Sequence, residues 1–216
     1  MKINRLALRL CMCALVLLRA LSLYADGKDS LSRKMIHMAG IDVKPAYVFP
    51  THEFFAGNNA TFSPIRKNLS VHLKYGFKFA PDTYFGRMYP HAVQGIGVGY
   101  NTFFHSSELG NPWSVYAFQT SRIASLTPRL SLDYEWNFGA SFGWKKYDAE
   151  SNPYNRVVGS KMNAYIHLSF LLNWQLDAQT NLRAGIGATH FSNGNTAYPN
   201  AGVNTLGASI GLTRYF

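Results

Sequence analysis

Beyond residue 25 the chain has no cysteine: Cys11 and Cys13 are its only two. Disulfides, thiol catalysis and thiolate metal sites are therefore excluded from everything after that point. Charge is scarce as well. Asp, Glu, Lys and Arg make up 15% of the 216 residues, against roughly 25% in a soluble globular domain. Acids are outnumbered, 11 to 21 basic residues, for a net charge of +10. No basic run of the kind that binds nucleic acid accompanies that excess. After residue 25 nothing approaches the roughly 18 consecutive apolar residues of a membrane helix. HExxH and Gly-rich phosphate motifs are also missing, since no helical pattern follows Gly95-Ile96-Gly97-Val98-Gly99. What the chain does hold is 15 Phe, 13 Tyr, 4 Trp and 18 Gly. So many aromatics exclude a disordered chain and a heptad coiled coil, and leave a β-rich one.

The first 25 residues read as an export signal. Lys2, Arg5 and Arg9 form a basic front, Leu10 to Leu18 is uninterrupted apolar sequence, and Ala25 is a small residue ahead of Asp26. Arg19 interrupts the stretch and blurs the cleavage point. The segment holds four basic residues and no acid, which leaves residues 26–216 at +6. They read as a single domain.

The period of that domain is two. Met162, Ala164, Ile166, Leu168, Phe170, Leu172, Trp174 and Leu176 share one face, while Asn163, Tyr165, His167, Ser169, Leu171, Asn173 and Gln175 share the other. Sustained alternation of this kind marks a strand with one apolar and one polar side. The pattern recurs over 69–79, 130–138, 182–189 and 206–216, and more weakly over 38–49, 93–103 and 113–123. In the last of these the two faces cannot be told apart.

Eight strands of about ten residues are longer than the roughly 5–6 usual in soluble sheets. Their polar faces carry Lys74, Asp133, Glu135 and His167, which suit a hydrogen-bonded lumen. Tyr75, Trp136, Trp174 and Phe216 are expected near strand ends, as in interfacial girdles. The chain closes on an aromatic, as outer-membrane barrels do, although Arg214 stands where that ending is usually apolar. The fold expected is all-β: an eight-stranded antiparallel transmembrane β-barrel with a filled interior. An even strand count puts both termini on the periplasmic side. Short turns are expected around Ala124–Pro128 and Asp177–Gln179, and long outer connections near 50–66, 144–160 and 193–203. The stretch 80–91 is long for the inner side.

Of seven histidines, His72 and His167 read as ordinary lumen residues, and His37, His52, His91 and His105 lie near strand ends or in loops without metal-ligand spacing. His190 differs. With Ser192 it continues the apolar, outward face of the seventh strand, and residues i and i+2 on a strand lie about 6.5–7 Å apart. The eight residue steps from Leu182 to His190 rise roughly 20 Å, against an apolar band of about 25 Å. The pair is thus placed at the outer boundary, where acyl esters meet headgroups. A polar pair there costs only about 0–1 kcal/mol, so taken alone it is also compatible with interface decoration.

The run His190-Phe191-Ser192-Asn193-Gly194-Asn195, followed by Pro199-Asn200-Ala201-Gly202-Val203-Asn204 and a final strand, resembles the outer-membrane lipid A deacylases of the PagL type, also called lipid A 3-O-deacylases or acyloxyacyl hydrolases. The resemblance implies a serine esterase on the outside of the barrel, with Ser192 as nucleophile and His190 as general base. Asn193, Asn200 and backbone N–H groups around Gly194 would be the oxyanion donors. Where the family's best-known members carry a glutamate that orients the histidine, this chain has Asn204. An Asn carbonyl can accept from Nδ1–H but cannot stabilise the imidazolium by charge. The implied partner is lipid A or lipopolysaccharide in the outer leaflet of the outer membrane, with no metal, cofactor or nucleic acid, and the resemblance allows for a homodimer. Lys145, Lys146, Arg156 and Lys161 flank an outer connection and suit lipid A phosphates; a solvated charge run with Asp148 and Glu150 as local partners explains them equally well. Two rival readings share the barrel: a non-enzymatic structural or adhesion barrel, and a lipid A acyltransferase.

Overall fold

The computed structural model describes residues 34–216, so the export signal expected over 1–25 lies outside the described residues. Eight strands follow one another: β1 (Met35–Val48), β2 (Lys67–Phe79), β3 (Val93–Thr102), β4 (Gly110–Thr127), β5 (Leu130–Trp144), β6 (Met162–Gln175), β7 (Thr180–Ser192) and β8 (Val203–Tyr215). Each pairs antiparallel with its sequence neighbours, and β8 returns to β1 to close the barrel. Closure leaves no strand edge unpaired, the condition for crossing a bilayer with strands. The alternation resolves as the sequence implies. Leu73, Phe138, Ile166, Phe170, Ile186 and Ile210 project outward, and Ser70, His72, Lys74, Glu135 and His167 inward.

In β4 both faces are apolar in sequence because Tyr116 and Phe118 turn into the lumen while Val115 and Ala117 face out. The lumen has room for such rings because β3 presents glycine to it. A Cβ on Gly97 would lie 2.4 Å from the Tyr116 ring, and one on Gly99 would lie 2.4 Å from the His72 imidazole. His72 then bonds Tyr116 Oη and Ser70 Oγ, both at 2.9 Å. Deeper charges are paired, as low dielectric demands. Lys74 Nζ reaches Asp42 at 2.5 Å and Glu135 at 2.7 Å, and Arg183 pairs with Glu135. Lys44 Nζ meets His167 Nε2 at 3.2 Å. Towards the outer end the filling turns apolar, with Phe54, Phe55, Phe103, Trp144, Val157 and Phe191 buried together. The filling stops short of the other end, where a polar cavity of about 310 Å³ opens beside the first and last described residues.

Long connections (49–66, 103–109, 145–161, 193–202) gather at the outer end, and both described termini at the other. Two expectations change. The turn placed at Ala124–Pro128 is only Pro128-Arg129, because pairing continues to Thr127↔Leu130 across two register shifts. Trp136 lies in the middle of β5 rather than near its end, because Gly139, Ala140 and Ser141 prolong the strand without a strong apolar contrast. The β6–β7 turn is set by Asp177, whose carboxylate accepts from the N–H groups of Gln179 and Thr180, each at 2.8 Å. These bonds, the Gln179 one foremost, hold its carboxyl below the ordinary range. The stretch 80–92 contains a short helix, Tyr84–Met88, capped by Thr83 Oγ1, which accepts from the Gly86 N–H. Arg214, facing outward on β8, bends back to Thr180 and Gln179 of the neighbouring turn, which reconciles a charge with that position.

Candidate functional site

Alternation along β7 carries the site. Phe191 points inward and is 2% exposed, with its ring centroid 5.1 Å from Trp144 and 5.5 Å from Tyr165. Anchoring Phe191 inside obliges His190 and Ser192 to stand on the outer face. Register places Asn204 directly opposite His190 on β8, and Ile166 opposite it on β6; Ser192 faces Ala164. His190 Nδ1 lies 2.7 Å from Asn204 Oδ1. A carbonyl oxygen only accepts, so Nδ1 carries the proton. In the neutral ring Nε2 is then the free base. Among the described residues no hydrogen bond joins Ser192 Oγ to Nε2. In free enzymes such contacts are often loose until substrate is bound.

Gly202, whose position-specific role the sequence did not reveal, closes the site from the side. Its φ is +73°, and a Cβ there would lie 3.2 Å from His190 Cε1 and 3.7 Å from Ser192 Cβ. Its N–H donates to Val157 O at 3.3 Å. The only sequence signal for this was a glycine two residues before Asn204. Gly159 packs even more tightly on the same loop, where a Cβ would lie 2.5 Å from Pro199 O. The β5–β6 connection therefore braces the β7–β8 connection.

The remaining expected residues lie in that braced loop. Asn200 Oδ1 accepts from the Asn193 N–H at 3.1 Å, and Asn200 Nδ2 donates to Asn195 Oδ1 at 3.0 Å. Asn193 Nδ2 donates to Ala197 O at 2.7 Å. One hydrogen of each amide is thus spent on folding the loop, and each amide nitrogen retains a second. Gly194 has φ +63° with open space where a side chain would be. Its N–H has no acceptor among the described residues. Lys145, Lys146, Arg156 and Lys161 are all exposed, and among the described residues none forms an ion pair. Asp148 instead accepts from Glu150 and Ser151, and these bonds, that of the Ser151 N–H first, hold its carboxyl below the ordinary range. Arg156 lies over the Tyr147 ring, 5.3 Å from its centroid.

Apolar side chains surround the row, with Met162, Ile166, Leu168 and Leu206 exposed on the same outer surface. The large cavity lies at the other end of the barrel, away from His190. For a substrate that is itself a component of the surrounding lipid, an open surface serves and a deep pocket is not required.

The model of the lipid A 3-O-deacylase (PagL) family matches residues 94–213, a span that contains all the residues just described. Among solved structures the chain is similar to the outer membrane enzyme PagL, with 12% identity and a TM-score of 0.56 over 80% of this chain and 97% of that one. It is also similar to Neisserial surface protein A, with 8% identity and a TM-score of 0.51 over 85% of this chain and 97% of that one. At such identities the likeness is one of fold. No curated protein matches the chain in sequence.

Proposed function

Because the chain belongs to the lipid A 3-O-deacylase (PagL) family, we propose that it is a serine esterase that hydrolyses an ester-linked acyl chain of lipid A. It is an outer-membrane β-barrel protein, so its substrate shares its membrane. The observation that most supports the reading is the 2.7 Å bond from His190 Nδ1 to Asn204 Oδ1, on the lipid-facing row that also carries Ser192. That bond leaves Nε2 as the base. Ser192 Oγ attacks the ester carbonyl carbon while Nε2 takes its proton, and the carbonyl oxygen becomes an oxyanion. The Gly194 N–H and the second amide hydrogens of Asn193 and Asn200 are the donors available to it. Collapse expels the lipid A alcohol oxygen, which recovers the proton from the imidazolium. Water, activated by the same Nε2, then releases the fatty acid from Ser192. The exposed cations at 145, 146, 156 and 161 hold the lipid A phosphates.

Mass spectrometry of lipid A from cells with and without the protein tests this. Loss of one acyl group is expected. Gain of a chain would mean an acyltransferase, and an unchanged profile a non-enzymatic barrel. Ser192→Ala is expected to abolish the loss while the barrel stays folded and heat-modifiable, since one hydroxyl at the interface contributes little to folding. Activity near wild type in that variant would remove Ser192 from the nucleophile role.

A further inference from the structure

The connection between β2 and β3 is the longest at the end where the described termini lie, and its short helix, Tyr84–Met88, is apolar on the side that faces out. Tyr84, Phe85, Met88 and, directly after the helix, Tyr89 are 65%, 52%, 55% and 58% exposed. At about 100° per residue the four fall within an arc of roughly 140°. The rest of the turn differs. Gly86 is buried, and a Cβ there would collide with Ala80 O, which fixes the rotation of the helix against the end of β2. Arg87 falls outside the apolar arc, and its Nη1 donates to Asp82 O at 2.9 Å. Ring contacts join the apolar face to the barrel wall. The Phe85 ring lies 5.2 Å from that of Phe79 and 5.4 Å from that of Tyr84, and Phe79 lies 5.6 Å from Phe77. Phe77 and Phe79 continue the outward row of Leu73 and Tyr75 on β2, the row that meets lipid. The exposed face of the helix and the lipid-facing wall are thus one apolar surface.

We propose that this connection is a membrane foot: the helix lies in the phospholipid interface of the leaflet at the termini end, with Tyr84, Phe85, Met88 and Tyr89 set against acyl chains and headgroups. A contiguous exposed apolar patch marks a surface covered by a membrane or a partner, and an amphipathic helix with aromatic residues on its apolar face lies in the interface plane. Three observations favour lipid over a protein. The patch continues the barrel's lipid-facing wall, so a protein seated on it would also have to displace lipid from Phe77 and Phe79. Two of its four large side chains are tyrosines, whose rings are apolar and whose hydroxyls are polar, as suits a boundary between hydrocarbon and water. Beside it, Arg87 and Lys34, whose carbonyl accepts from the Ala80 N–H, are exposed cations against the single acid Asp82, which suits phosphate headgroups. The foot lies at the end opposite His190 and is independent of the ester chemistry.

The test is site-directed spin labelling of the full chain, carrying Cys11→Ser and Cys13→Ser, refolded in vesicles of phosphatidylethanolamine and phosphatidylglycerol. A nitroxide is attached in turn at Tyr84→Cys, Met88→Cys, Asp82→Cys and Leu73→Cys, and read in the folded, heat-modifiable protein. The readout is collision with oxygen, which concentrates in the bilayer, and with a nickel chelate, which stays in water. At positions 84 and 88 the ratio of oxygen to nickel collisions is expected to lie several-fold above that at 82 and to approach that at 73. A ratio at either position equal to that at 82 would overturn the proposal, because the helix would then stand in water. Low collision with both reagents would overturn it as well, since the face would then be covered by protein, either residues 26–33 of the same chain or a second copy.

Discussion

An amide that orients a histidine supplies direction without charge, and the two contributions can be measured apart. Asn204→Ala removes the acceptor at Nδ1, so the imidazole loses its tautomer and its aim. In a Ser-His-Asp enzyme a wrong tautomer costs about 10⁴ in kcat. Here, where the ring is partly held by its neighbours, a loss of about 10² or more is expected in lipid A deacylation assays. Asn204→Glu should retain or raise kcat, because a carboxylate accepts the same proton and also stabilises the imidazolium. Full activity in Asn204→Ala would detach this residue from the reaction. The trio was legible in the sequence because period two fixes which side chains share a face, and the hairpin register brings position 204 to 190. Gly202 was not legible in that way. Its contact with His190 depends on a left-handed backbone and on a hydrogen bond to Val157 in another loop, neither of which leaves a periodic trace.

Among the elements, the β5–β6 connection has two separable duties. Asn155 and Asn152 tie it to the Glu108 carbonyl, each at 2.9 Å, and Gly159 seats it against the Tyr198–Pro199 backbone. Its cations remain exposed and free of carboxylate partners among the described residues. Neutralising Lys145, Lys146, Arg156 and Lys161 together is therefore expected to raise KM for phosphorylated lipid A several-fold, with kcat nearly unchanged. For a dephosphorylated substrate KM should barely move; equal effects on both would mean that the charges do not read phosphate. Strand positions were legible throughout, but strand lengths were not. Ser125 and Thr127 extend β4 through register shifts, and small residues extend β5. Both features weaken alternation without interrupting pairing.

At the scale of the whole barrel, the buried charges of the lumen meet in one cluster at its centre. Glu135 accepts from Lys74 at 2.7 and 2.9 Å and from Thr120 Oγ1 at 2.8 Å, and also pairs with Arg183. Glu135→Leu strands Arg183 in a lumen with no other carboxylate partner for it among the described residues. A loss of about 3–5 kcal/mol is expected from urea unfolding in lipid vesicles, as when one member of a buried pair is removed. Adding Arg183→Leu should recover most of that loss. A double variant as unstable as the single one would mean that packing around Glu135, and not its charge, is what matters. The composition of this cluster was legible from the inward-facing charges. Its pairing was not, because contacts across the lumen join strands distant in sequence.

The outward orientation of His190 and Ser192 also has a consequence for the proposed esterase: it sets how a substrate would be met. In that proposal lipid A would reach the row by lateral diffusion within a leaflet, so the encounter would be two-dimensional and no aqueous entry path would limit it. Turnover should follow the mole fraction of lipid A in the surrounding film, not its concentration per volume. Diluting the surface with an inert phospholipid at fixed total lipid A should lower the rate in proportion. Adding buffer at fixed surface composition should leave it unchanged. A rate that tracked bulk concentration instead would mean that substrate arrives through water, and that the outward row is not where the ester is met.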